Sequence, residues 1–136
     1  MRVTVTANYP ESDVREILLF AAKHVELNHA ALRVKVKNST GTFRGMAYRV
    51  AYTSADYNAG AKGLVTLGIG TPDKFPFTSR SCGELRDWKE ALVFLAAHEF
   101  SHQVDFKSGK KSSEVTANRD GRTAVAAYRL TRSIGE

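Results

Sequence analysis

Ala91-Leu92-Val93-Phe94-Leu95-Ala96-Ala97-His98-Glu99-Phe100-Ser101-His102 is the stretch on which the reading of this chain turns. Asp87 and Glu90, three apart just ahead of it, form a capping-box pattern that opens a helix predicted to run to about Phe106. Seven apolar residues in succession leave that helix no polar face in its first half, so it belongs in the middle of a folded domain. Three ionisable or imidazole groups placed directly after them are costly in a core unless something compensates them, and a metal ion does so. His98 and His102 are four residues apart, slightly more than one turn, so both rings leave one face of the helix close enough to share a single zinc ion. Glu99 is rotated to the rim, out of easy reach of the metal. It suits a general base acting on a water that the metal holds. The plainer alternative is a helix whose two histidines are satisfied by neighbouring polar groups.

A zinc site of this kind takes a third protein ligand and leaves its fourth position to water. The other histidines, His24 and His29, lie upstream, and none follows His102, so a carboxylate must serve. Asp105, Glu114, Asp120 and Glu136 are the candidates. Asp105 shares the helix and is too nearly collinear with the two rings, whereas Glu114 opens the next helix after a turn that can fold it back across the metal. Asn118 falls one turn beyond Glu114 on the same face, placed to accept a hydrogen bond from a ligand histidine. The bland reading makes Glu114 a helix-start acid and Asn118 a solvated polar residue.

His98-Glu99-Phe100-Ser101-His102 followed by Glu114 and Asn118 resembles the gluzincin branch of the zinc metallopeptidases, and the short chain resembles the compact minigluzincins. The likeness covers residues 64–121 in element order. Asn118 stands where that family carries an aspartate. The resemblance implies a zincin-like fold, hydrolysis of peptide bonds in a peptide or protein substrate, one zinc ion on His98, His102 and Glu114, and Glu99 as base. It also implies that the strand before the metal-binding helix is a sheet edge onto which an extended peptide adds, here Leu64, Val65, Thr66, Leu67 and Gly68, running on to Gly70.

The remaining elements follow from periodicity. Val3, Val5 and Ala7 alternate with polar residues, predicting a strand that ends at Tyr9-Pro10, and Val14, Ile17, Leu18, Ala21 and Val25 predict a helix capped by Ser12. Leu32, Val34 and Val36 alternate with Arg33, Lys35 and Lys37, then N-S-T-G turns into a second strand from Phe43 to Tyr52, which reads as a hairpin with one basic face. Residues 52–63 read as an exposed connection, and the proline-bearing Phe75–Phe77 loop resists further pairing. Phe75 and Phe77 either border a substrate pocket or anchor that loop. A basic turn, Lys107 to Ser113, leads into a last helix from about Ser113 to Arg132. The expected fold is α+β, a small mostly antiparallel sheet packed on three helices, as one domain over residues 1–136.

Composition agrees with this. The chain has 136 residues, 43% of them apolar, enough for one core without staples. A single cysteine, Cys82, excludes an intramolecular disulfide and a Cys-rich metal site. The first ten residues lack the apolar run of a signal peptide and no stretch approaches the length of a membrane span, so the expectation is a cytoplasmic protein that does not enter membranes. Lys and Arg number 20 against 14 acids, a net charge of +6. The basic hairpin leaves open a second function, a non-catalytic or latent module that holds nucleic acid or an acidic protein. Tyr128 and Arg122 lie several turns from Glu114, and no residue stands out as an oxyanion partner.

Overall fold

The computed structural model of the chain describes residues 1–49 and 63–135. The elements, in chain order, are β1 (Arg2–Val5), α1 (Glu11–His24), β2 (Leu32–Asn38), β3 (Phe43–Tyr48), β4 (Gly63–Ile69), a 3-10 turn (Pro72–Lys74), β5 (Phe77–Ser79), β6 (Gly83–Leu85), α2 (Trp88–Ser108) and α3 (Glu114–Gly135). The class is α+β. Most of the predicted connection at 52–63, and the last residues of the strand expected to reach Tyr52, lie outside the described residues.

The four long strands make one sheet in the order β1-β2-β4-β3. Three expectations change here. β2 and β3 are not a hairpin, because β4 lies between them. The sheet is not mostly antiparallel: β1–β2 and β2–β4 are parallel and only β3–β4 is antiparallel. And Leu64 to Gly68 is no edge, since β4 is hydrogen-bonded on both sides. The physical reason lies in the side chains. Six of the seven residues of β4 are buried, a pattern that suits an interior strand covered on both faces, whereas β3 exposes Arg44 and Met46 and stands at the edge among the described residues.

Helices α1 and α2 cover one face of the sheet. Val14, Ile17, Leu18, Ala21 and Ala22 of α1 and nearly every residue of α2 from Glu90 to Gln103 are buried there, against Val34, Val36, Val65, Leu67 and Ile69 of the strands. Fully burying each such side chain is worth about 1.5–3 kcal/mol, so this layer dominates the folding free energy. α1 starts after Pro10 with no side-chain cap, not at Ser12. Beyond the Phe75–Phe77 loop, β5 and β6 form a small antiparallel pair that the proline had argued against, because Pro76 precedes the strand and Phe77 begins it. Among the described residues no helix is long and apolar enough to cross a membrane.

Candidate metal centre

The second helix is placed by its cap. Asp87 accepts a hydrogen bond from the Glu90 backbone N–H at 2.9 Å, and Glu90 in turn accepts from the Arg86 N–H at 2.9 Å. Glu90 is 1% exposed, and its charge is matched by Arg129 of α3 at 2.7 Å; Arg132 of α3 reaches Asp87 at 2.9 Å. One residue before the second histidine, Ser101 donates to Asp120 of α3 at 2.7 Å. Between these tethers Gly121 lies directly on the Phe94 ring, where a Cβ would come within 2.6 Å of it, so only glycine permits this approach. α3 is thereby fastened along the outer side of α2, and its first residue, Glu114, comes to stand over the two histidines. Ser113 caps α3, its Oγ accepting from the Thr116 N–H at 3.3 Å.

The resulting constellation is compact. His98 Nε2 and His102 Nε2 are 3.3 Å apart, and the Glu114 carboxylate straddles them, Oε2 at 3.1 Å from His98 and Oε1 at 3.1 Å from His102. Ligand atoms at zinc-like bond lengths of about 2.0–2.1 Å from a tetrahedral ion stand about 3.3 Å from one another. The donor set therefore has the spacing that a shared cation requires. Glu99 is also near, with Oε1 at 3.6 Å from His98 Nε2, and His98, Glu99 and His102 offer atoms within 4.8 Å of one another that could hold a metal ion. Of the two carboxylates Glu114 is the better third donor, because it touches both rings whereas Glu99 approaches one from the side. Asp120 is engaged by Ser101, Asp105 is not among the described carboxylate partners of either ring, and Glu136 lies outside the described residues.

The surroundings are electrically uneven. His98 and His102 are largely buried, while the Glu114 side chain is 72% exposed, so the centre opens to solvent on the α3 side. Burial holds His98 below its ordinary pKa, with the neighbouring His102 adding to that; the Glu114 carboxylate and the Asn118 amide act in the opposite sense. Asn118 is thus a polar neighbour of His98, yet no well-formed hydrogen bond reaches Nδ1, which is buried and unpartnered. Burial, and secondarily the Glu114 charge, raises the Glu99 carboxyl to about 7. Its Oε2 is likewise buried without a partner. An unpartnered buried carboxylate oxygen beside His98 Nε2 is what a water on a bound metal would satisfy, whereas His98 Nδ1 faces away from the ion position.

Sequence reasoning missed several members of this site. Ser112 hydrogen-bonds His102 Nδ1 through its Oγ and so sets that ring's orientation. Ser112 lies in the basic turn, and nothing local ties that serine to a histidine ten residues back. The cleft over His98 and Glu99, of ≈ 290 Å³, is walled by Phe43, Arg44 and Gly45 of β3 and by Phe94 of α2. A Cβ at Gly45 would meet Leu95 at 2.7 Å and Glu99 at 3.0 Å, so the glycine lets the strand lie on α2. Leu64, Val65 and Leu67 are buried in the core or beneath the sheet and none of residues 64–68 lines this cleft. Phe75 and Phe77 pack against the core, Phe77 touching Phe43 edge-on with ring centres 6.0 Å apart, which makes them loop anchors. Tyr128 sits against Phe20, Arg122 donates to the Ser81 carbonyl at 2.8 Å, and Cys82 is buried and unbridged. His24 meets Thr123 at 3.0 Å, away from the metal centre.

In comparisons with known proteins, no family model, no curated protein and no solved structure matches the chain.

Proposed function

We propose that the protein is a zinc-dependent peptidase, with His98, His102 and Glu114 as metal ligands and Glu99 as general base. The observation that carries this is the Glu114 carboxylate spanning two imidazole nitrogens at 3.1 Å each, with a second, buried carboxylate alongside. Two nitrogens and one carboxylate match a catalytic zinc set, in which one coordination position stays open. A bound zinc ion supplies Lewis acidity, polarising a carbonyl oxygen and making a water acidic near neutral pH. Glu99 accepts the proton of the attacking water and returns it to the departing amine, a role for which a carboxyl poised near neutrality is suited. Ser112 holds the His102 ring; Asn118 supports His98. The β3 edge, bordering the cleft at Phe43 to Gly45, offers main-chain groups to which an extended peptide can add, which supports a peptide or protein substrate. Within the same proposal the setting is cytoplasmic.

The test is metal content together with cleavage of an unfolded protein substrate. The parent should hold about one zinc per chain and cleave; Glu99→Gln should keep the metal and lose activity by at least a hundredfold; Glu114→Ala should lose both. Zinc-free parent protein, or a Glu99→Gln variant as active as the parent, overturns the reading.

A further inference from the structure

The sheet has a second face, away from α1 and α2. Its residues follow from the register: Lys37 stands beside Gly68, which stands beside Arg44; in the next rung Lys35, Thr66 and Met46 are neighbours. Arg2 and Arg33 share a further rung across β1 and β2. All five basic residues of the four strands therefore point to this face, and the four strands contain no Asp or Glu. Lys37, Arg44 and Met46 are exposed, and neither Lys37 nor Arg44 has a carboxylate partner among the described residues. A concavity of ≈ 420 Å³ lies here, floored by Thr66 and Gly68 and bounded by Lys37, Ser39, Arg44 and Met46.

We propose that this trough binds a single-stranded nucleic acid. Its walls differ in a way that selects the occupant. Lys37 and Arg44 stand two strand spacings, about 9.6 Å, apart on either side of Gly68, over which Ser39 lies, its Cβ 3.3 Å from where a Cβ of residue 68 would be. The β2 wall is cationic and suits phosphates, whereas the β3 wall adds Met46, 45% exposed, an apolar surface for the face of an unpaired base. An acidic peptide would use the charge but not the apolar wall, and a bilayer surface would meet a concave floor. The net charge of +6 draws a polyanion to the molecule from a distance. The trough lies on the face of the sheet away from His98 and Glu99, and Arg44, at the β3 edge, borders both it and the cleft over those residues.

The experiment is fluorescence anisotropy of a labelled oligothymidylate of about 12 nucleotides, titrated with the full chain over a range of salt concentrations. Binding should weaken with salt, and Lys37→Ala with Arg44→Ala should lower low-salt affinity at least tenfold and reduce the logarithmic salt slope by about 1.4, or about 0.7 for each lost phosphate contact. Met46→Ala, which leaves every charge in place, should weaken binding about fivefold. Circular dichroism and the melting midpoint of each variant establish that it is folded; these side chains are exposed, so both should match the parent. Failure of the parent to bind, or an unchanged affinity in the folded double variant, overturns the proposal. So does an effect of the double variant with none from Met46→Ala, or equal affinity for oligoglutamate of the same charge or for phosphatidylserine vesicles.

Discussion

Ser112 and Glu99 show how single side chains tune the centre. Ser112 touches only the far nitrogen of His102, so removing it leaves all the metal-facing atoms in place and releases the ring to rotate. Ser112→Ala should weaken zinc affinity by about 10–100-fold, measured by competition with a chromophoric chelator, while leaving the fold intact. Unchanged affinity would mean that packing alone orients the ring. Glu99 carries a pH signature in the metal-free chain. Its folded pKa of about 7 lies above the ordinary 4.5, so the folded state keeps a proton that the unfolded state has released, and this group's contribution to stability falls as pH rises between those two values. The depressed His98 works the other way, losing stability as pH drops below 6.5. Gln at position 99 removes the first term only. With chelator present, denaturant titrations should find Glu99→Gln gaining on the parent from about pH 4.5 to about pH 7, by up to about 3 kcal/mol. A difference that stays flat across that range would contradict the buried, uncompensated carboxyl.

At the level of whole elements, the placement of α3 decides whether there is a centre at all. Glu114 is the first residue of a helix that is held at Ser101–Asp120, at Gly121 on Phe94, and at Glu90–Arg129. Gly121→Ala puts a methyl within 2.6–2.7 Å of the Phe94 ring and 3.0 Å of its carbonyl, so the helices must separate. Overpacking of this kind costs about 1–3 kcal/mol, and here it should also weaken metal binding, although residue 121 is two turns from Glu114. Isothermal titration with zinc checks this; a variant destabilised but with parental zinc affinity would show that the start of α3 is held independently of its middle. The second element with such leverage is β3, which approaches Glu99 only because residue 45 has no side chain.

Across the whole molecule, the proposed zinc ion would join α2 to α3 and so contribute to global stability. At a free concentration about a hundred times its dissociation constant a ligand adds about 2.7 kcal/mol, so chelation should lower the melting midpoint by about 10 °C in the parent and leave Glu114→Ala unmoved. Calorimetry with and without chelator tests both arms, and identical shifts in the two proteins would remove Glu114 from the ligand set.

Much of this was open to reading in one dimension. The cap at Asp87 and Glu90, the span of α2, the shared face of His98 and His102, and the basic alternation of Arg33, Lys35 and Lys37 depend on contacts within a few residues, and helical and strand periods express those directly. Glu114 is preferred among the carboxylates because it opens the next helix after a turn, and the bond from Ser101 to Asp120 engages that second candidate elsewhere. The order of the strands was misread because β2 and β3 are adjacent in sequence and a short turn joins them, while the pairing that prevails, β4 between them, brings together residues some thirty apart. Ser112, Gly45 and the wall at Phe43 were invisible for the same reason: their roles exist only across elements, and no local period encodes which surface a strand or a turn will meet once the core has closed.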